Sequence, residues 1–287
     1  MNPQIQIGKT AFWDVDINTL DENDHADFII TRVFQFGLMA DLKTVLKLYN
    51  ANQIKHAFEH TRGVDIKAIN HSKSTWIFIK PMHTNTVSPQ LLEIINKVST
   101  NDIFSDFRLC GGTALSLQIG HRISVDADFI TESIPDKDLL LKNILEVFPH
   151  ATDLNTGAFG IFLKVDGVKV DFLSWNIPFI RPAVEENNIR FLNVEEIAAM
   201  KIFAILQRGE KKDYMDIAAL LSQYSLKQII GFYQERHKGS DAAVVIRFLS
   251  SYSDVEKQPD PLMLNGLTWH TAKAKLTDAI HDFVDNN

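Results

Sequence analysis

Apolar residues recur three and four apart in 25–36 (HADFIITRVFQF), 41–49 (DLKTVLKLY) and 53–61 (QIKHAFEHT). That spacing paints one face of a helix, so the first 80 residues read as a small helical module. Gly37 and Gly63 are expected to stop two of these helices. A polar stretch follows at 80–87 (KPMHTNTV), after which a helix starts cleanly. Ser88 is placed as its N-cap, Pro89 takes the first helical position, and LLEIINKV keeps the helical spacing. The domain boundary is expected in that polar stretch.

Beyond it the pattern turns mixed. A short helix is expected at 113–119, ending at Gly120, then a strand at 123–130 and a helix at 139–148. The segments GAFGIFLKV (157–165) and VKVDFLSW (168–175) read as two strands, and Asp166-Gly167 between them favours a tight hairpin. From Asn193 onward the periodicity is helical, and Asn193 with Glu196 resembles a capping box. Residues 256–266, holding Pro259 and Pro261, read as a loop before a last amphipathic helix at 268–284. The whole predicts an α/β (α+β) core with a mixed sheet at 88–192, a helical C-terminal subdomain at 193–287, and the helical module at 1–80. No internal repeat or low-complexity tract interrupts this order.

Composition changes little in that picture. Hydrophobic residues make up 45% of 287 and charged residues 23%, an ordinary globular balance. The net charge of −7 argues against a non-specific coat for nucleic acid, although a local basic cleft can still attract phosphates. The one cysteine, Cys110, cannot pair within the chain, the polar start lacks a signal-peptide core, and no apolar run is long enough to cross a bilayer. A cytoplasmic protein with no membrane partner is expected.

The chemistry gathers in three short segments. In Leu109-Cys110-Gly111-Gly112-Thr113 two glycines precede a helix, where free backbone N–H groups can receive a phosphate and the Thr113 hydroxyl adds a donor. In Ser124-Val125-Asp126-Ala127-Asp128-Phe129 the two acids stand two apart on an expected strand. They would share one face, with Val125, Ala127 and Phe129 turned to the core. Carboxylates that close repel one another unless a cation lies between them, and hard oxygen donors suit Mg²⁺. In Val168-Lys169-Val170-Asp171-Phe172 an acid sits in an otherwise apolar strand, which is costly unless it is paired, hydrated or metal-bound. If that strand neighbours the first, Asp171 completes a three-carboxylate site able to hold metal. Arg122 is placed either to contact a triphosphate or to pair with an acid of the cluster. His121 reads as a packing or turn residue, and Cys110 as buried beside the glycines.

The ordered set Gly-Gly-Thr-Ala-Leu, Gly-His-Arg-x-Ser-x-Asp-x-Asp-Phe and Lys-Val-Asp resembles the AbiEii/AbiGii nucleotidyltransferase toxins, within the DNA-polymerase-β-like superfamily. The downstream segments 199–209 (AMKIFAILQRG) and 212–217 (KDYMDI) extend the resemblance from about residue 100 to the C-terminus. It implies a polymerase-β-like core that transfers NMP from an NTP to an acceptor hydroxyl, with the tRNA 3′ end as the implied acceptor. It also implies that Gly111, Gly112 and Thr113 hold the phosphates and that Asp126 and Asp128 hold metal. Lys201 matches an essential lysine of the family. The Lys-Asp-x-x-Asp segment supplies a further acid, for which Asp213 is favoured over Asp216. Asp171 stands where the superfamily has its third carboxylate. On the expected helix Lys201, Ala204 and Arg208 share a stripe, so both cations are candidates to neutralise a transferring phosphoryl group. The N-terminal module resembles a small family that occurs beside such transferases, which implies an antitoxin-like role; a substrate-positioning role is the alternative. Rival readings keep the fold but transfer NMP to a protein or small molecule, or make the chain a catalytically dead binding protein.

Overall fold

The computed structural model describes residues 7, 9–49, 51–61 and 82–286. Gly63 and the first two residues of the polar stretch at 80–87 lie outside the described residues. The chain divides into two compact units, Met1–Pro81 and Met82–Asn287. Each is taken on its own.

In the first unit the three helical patterns form α1 (Ala26–Phe36), α2 (Met39–Leu48) and α3 (Ala51–His60). Their apolar faces meet in a core of Ile29, Ile30, Val33, Val45, Ile54 and Ala57. Gly37 closes α1 by donating its N–H to Val33, but with φ of −75° rather than in a left-handed cap. Asp41 accepts the Leu38 N–H at 2.8 Å and fixes the start of α2.

The second unit opens with α4 (Pro89–Ser99), whose N-cap Ser88 accepts the Leu91 N–H at 3.1 Å. Seven strands are present among the described residues: β1 (Arg108–Cys110), β2 (Ala127–Thr131), β3 (Thr152–Gly157), β4 (Gly160–Val165), β5 (Val168–Ser174), β6 (Val184–Glu186) and β7 (Ile189–Phe191). They form one mixed sheet in the order β3-β4-β5-β2-β1-β7-β6. Only β2–β5 and β1–β7 run parallel. The β4–β5 hairpin turns at Asp166 and Gly167, both at positive φ (49° and 83°), the geometry an Asp-Gly turn favours. Asn187 and Asn188 do the same between β6 and β7 (49° and 63°), a hairpin whose Asn-Asn signal the periodicity reading passed over. Residues 157–165 are not one strand, because the chain reverses at Ala158 and Phe159 to pair β3 with β4.

Helix α5 (Gly111–Ile119) follows β1 and ends at Gly120, which is left-handed at φ 68°. Helix α6 (Lys137–Val147) starts at Asp136, whose carboxylate accepts the Leu139 N–H. Then come α7 (Val194–Gln207), α8 (Lys211–Leu220), α9 (Leu226–Arg236), α10 (Ala242–Leu249) and α11 (Trp269–Asp285). These helices cluster with the sheet in a single unit, since α7 and α8 both pack on α5. The expected capping box at Asn193 is half present. Asn193 accepts the Glu195 N–H at 2.9 Å, but Glu196 is fully buried and accepts from Ile180 and Arg181 instead.

Candidate active site

Register places the acids. Cys110 on β1 is the partner of Asp128 on β2, Asp128 of Asp171 on β5, and Asp171 of Phe162 on β4. These four residues therefore form one row across the sheet, and paired residues share a face. The row borders a cavity of about 920 Å³ that also takes in Gly111, Gly112, Asp126, Lys201 and Asp213. Strand β2 begins at Ala127, so Asp126 precedes it instead of lying within it. For the same reason Val125, expected in the core, is 74% exposed.

The glycines are set by close approach. Gly111 has φ of +69°, and a Cβ there would run into the Asp128 carboxylate. At Gly112 a Cβ would collide with the Arg122 guanidinium. Cys110, the N-cap, gives no side-chain hydrogen bond, so α5 starts without a side-chain cap, and its first residues Gly111 and Gly112 line the cavity. Thr113 does not join them. It is fully buried, and its hydroxyl donates to the Asp126 carbonyl and approaches Ser124 Oγ at 2.8 Å. Thr113 thus holds the loop that carries Asp126, and the expected phosphate contact is spent inside the protein.

Asp128 accepts no hydrogen bond among the described residues. Burial, then the charges of Asp126 and Asp171, push its pKa up to about 6. Asp171 is buried, with Oδ2 2.7 Å from Lys169 Nζ and Oδ1 without a partner. Among the described residues no three His, Cys, Asp or Glu side chains close up as a ready-made metal site. Asp126, Asp128 and Asp171 nevertheless border one cavity, with Lys169 Nζ already against one oxygen of Asp171. The donors still fit Mg²⁺. They are hard oxygens, two of the acids lack a counter-charge on one side, and this ion takes much of its shell from water and phosphate.

Across the cavity, Lys201 of α7 is buried between Asp213 Oδ1 and Asp216 Oδ2 of α8, 2.7 Å from each. Burial pulls its pKa down, but Asp216 and Asp213 outweigh this and hold it above the usual lysine value. Asp216 also receives Arg122 Nε at 2.6 Å, Arg122 Nη2 at 3.1 Å and His121 Nε2 at 2.7 Å. Despite its burial, Lys201 and Arg122, with the hydrogen bond to His121, hold Asp216 well below the usual aspartate range. Arg122 is thus committed to Asp216, the pairing alternative of the two expected, although with an acid outside the metal cluster. Asp213 lines the cavity and Asp216 does not. Arg208, the C-cap of α7, approaches Asp213 Oδ2 at 3.5 Å with its side chain half exposed. With Lys169 and Lys212 it gives the cavity exposed cations on a chain of net negative charge.

Periodicity missed the His121–Arg122–Asp216 network entirely. The only trace in the chain is the i, i+3 pair Asp213 and Asp216, which looks like a surface face until α8 is seen to be buried.

A family model described as nucleotidyl transferase AbiEii toxin, type IV TA system, matches residues 94–282. A second, a family of unknown function (DUF6922), matches residues 7–58. An uncharacterized protein of Aquifex aeolicus is 28% identical over 173 residues, which is 58% of this chain and 83% of that protein. A nucleotidyltransferase candidate from H. pylori superposes with a TM-score of 0.46 at 17% identity, covering 69% of this chain and 98% of that one. The Megavirus polyadenylate synthase gives 0.35 at 13%, covering 61% and 38%. With both scores below 0.5, the assignment rests on the family match.

Proposed function

This chain belongs to the AbiEii nucleotidyltransferase toxin family, and from that premise we propose Mg²⁺-dependent transfer of NMP from an NTP to the 3′ hydroxyl of a tRNA. The observation that carries the reading is the register of Asp128 with Asp171, in one cavity with the uncapped N-terminus of α5 and buried Lys201.

In the proposed reaction an acceptor oxygen forms a bond to the α-phosphorus, the bond from that phosphorus to the bridging oxygen breaks, and pyrophosphate leaves. Asp126 and Asp128, with Asp171, would hold Mg²⁺, which supplies positive charge to the triphosphate and acidifies the attacking hydroxyl. The N–H groups at Gly111 and Gly112 bind phosphate oxygens, where the helix dipole favours an anion. Lys201 stays protonated through neutral pH, so it acts as a fixed charge that stabilises the transition state and not as an acid. Asp213 keeps the ammonium in place. With Asp171 Oδ2 on Lys169, its unpartnered Oδ1 is the oxygen left for the metal, and the proton of the attacking hydroxyl passes to water. Arg208, Lys169 and Lys212 draw in the polyanionic substrates.

The test is incubation of the full chain with each labelled NTP, Mg²⁺ and total tRNA. Label in RNA with release of pyrophosphate is expected. Label in protein alone would replace the tRNA acceptor with a protein one, and no transfer to any acceptor would sink the reading.

A cognate antitoxin is the proposed partner, as befits a member of a toxin–antitoxin family. The first unit, compact with its own core and matching a separate family, is a candidate for that role within the chain. Expression of residues 82–287 beside the full chain should give more toxicity and turnover at matched levels. Lower activity from a well-folded short chain would instead make the unit a substrate-positioning one.

A further inference from the structure

The cavity changes character along its length. Beyond Asp171 the same face of β5 holds Leu173, the chain leaves the strand at Ser174 and passes into Trp175, and β2 runs from Asp128 to Ile130, all of them bordering the cavity. Helix α7 faces them with Met200, Phe203 and Gln207 on one stripe. The acidic end therefore passes into an aromatic and aliphatic one. At roughly 3.3 Å per residue, the end of β5 at Ser174 lies ~10 Å along the strand from Asp171, and Trp175 follows it, room for a ribose and a ring beyond an α-phosphate.

Trp175 and Phe203 are half-buried, and each is supported from behind. The Arg236 guanidinium lies 3.7 Å from the Trp175 ring centroid. His237 stacks on Phe203 with centroids 5.2 Å apart and planes 4° from parallel. The two rings meet edge to face at 6.1 Å. Arg236 is buried and held at 2.7 Å by the fully buried Glu196, yet its Nε and Nη2 have no hydrogen-bond partner among the described residues. Polar pairing therefore accounts for only part of this guanidinium, and its close contact with the indole ring is the other part. Burial, with Arg236 adjacent, lowers the pKa of His237, so its ring is neutral at pH 7 and packs as an aromatic. The result is a corner of fixed rings at the far end of a groove whose near end suits phosphate.

We propose that the Trp175–Phe203 corner is the nucleobase subsite, taking the heterocycle of the incoming NTP, with the Gln207 amide at its rim meeting the base edge. This rests on reading the cavity as the NTP site. Every base has a π-face, so the stacking sets affinity with little regard to sequence, whereas an amide that both donates and accepts can rank the bases.

The experiment is calorimetric binding of the four NTPs and of inorganic tripolyphosphate, with Mg²⁺, to the full chain and its variants. Trp175→Ala and Phe203→Ala should each weaken NTP binding by about tenfold, the size of one lost base–aromatic stack, and leave tripolyphosphate unchanged. Trp175→Phe should keep most of the affinity, and with Phe203→Leu it carries the comparison if the alanine variants do not fold. Gln207→Leu should reorder the four NTPs, and an unchanged order removes Gln207 from the proposal. Equal weakening of NTP and tripolyphosphate, or no weakening of NTP, overturns the subsite. If the unaltered chain binds tripolyphosphate as tightly as every NTP, the subsite alone falls. If it binds neither, the NTP-site reading fails and takes the subsite with it.

Discussion

Asp213 and Asp216 on α8 and the pair Asp128 and Asp171 on the sheet are all acids at or below the protein surface, but the protein supplies far more counter-charge to the first pair than to the second. Lys201 sits 2.7 Å from both members of the α8 pair, and Arg122 and His121 complete the shell of Asp216. Asp128 has no hydrogen bond among the described residues, and Asp171 has one oxygen bare. Buried ion pairs are tolerated when their geometry is good and their remaining valences are met, as they are around Asp216. The sheet acids leave that balance open, which suits a cation arriving with a substrate. One pair holds the fold together, and the other is kept in readiness.

The comparison breaks most visibly at Asp216. Asp216→Ala leaves Lys201 and Arg122 buried with one partner fewer, and urea unfolding should show a loss of about 3–5 kcal/mol. A loss below 1 kcal/mol would mean that the network is not what holds α7 to α8. Lys201→Ala should lower both stability and turnover, so activity must be normalised to the folded fraction; a loss of on the order of a hundredfold should remain.

Asp128→Asn should do the reverse. Transfer should fall by on the order of a hundredfold or more, while thermal stability is unchanged or raised by the relief of repulsion. Transfer at full rate in this variant would remove Asp128 from the chemistry.

A smaller effect follows from pH. In metal-free protein Asp128 keeps its proton up to about 6, against an ordinary value of 3.8. Between those values the folded chain holds a proton that the unfolded chain has released. This group's contribution therefore makes stability fall as pH rises through the window and level off above it. Comparison of unfolding curves for the unaltered chain and Asp128→Asn at pH 4 and pH 6.5 isolates that slope. Saturating Mg²⁺ should raise stability above pH 6, by about 2.7 kcal/mol at a hundred times its dissociation constant.

The smallest prediction separates structure from ligation at Thr113. Thr113→Val should cost about 1 kcal/mol through the lost bond to the Asp126 carbonyl, with KM for NTP nearly unchanged if the hydroxyl never reaches a phosphate. A large rise in KM at full stability would restore the phosphate contact.

Much of this could be read from the chain because local rules act over a few residues. Ser88-Pro89, Asp166-Gly167 and Gly120 each carry a backbone preference strong enough to mark a helix start, a hairpin and a helix end. The spacing of Asp126, Asp128 and Asp171 in otherwise apolar surroundings likewise pointed to a carboxylate site, and the ordered motifs to the family. Val125 went the other way, since pleat alternation applies only where a strand exists, and β2 starts at Ala127, four residues later than expected; Thr113 turned inward because Ser124 and the Asp126 carbonyl take its hydroxyl.

What the sequence determined by itself, then, was the class of fold, the element boundaries with capping residues, and the list of acids and cations worth considering. Which of them meet was decided by tertiary structure alone. The parallel pairing of β2 with β5 sets Asp128 beside Asp171, 43 positions apart in the chain. The packing of α8 against α5 and α7 makes Asp216 a buried anchor instead of a surface acid. Partners that distant share no periodicity or turn chemistry, so nothing local encodes their contact, and only the closing of the core around them fixes which charges are matched and which stay open.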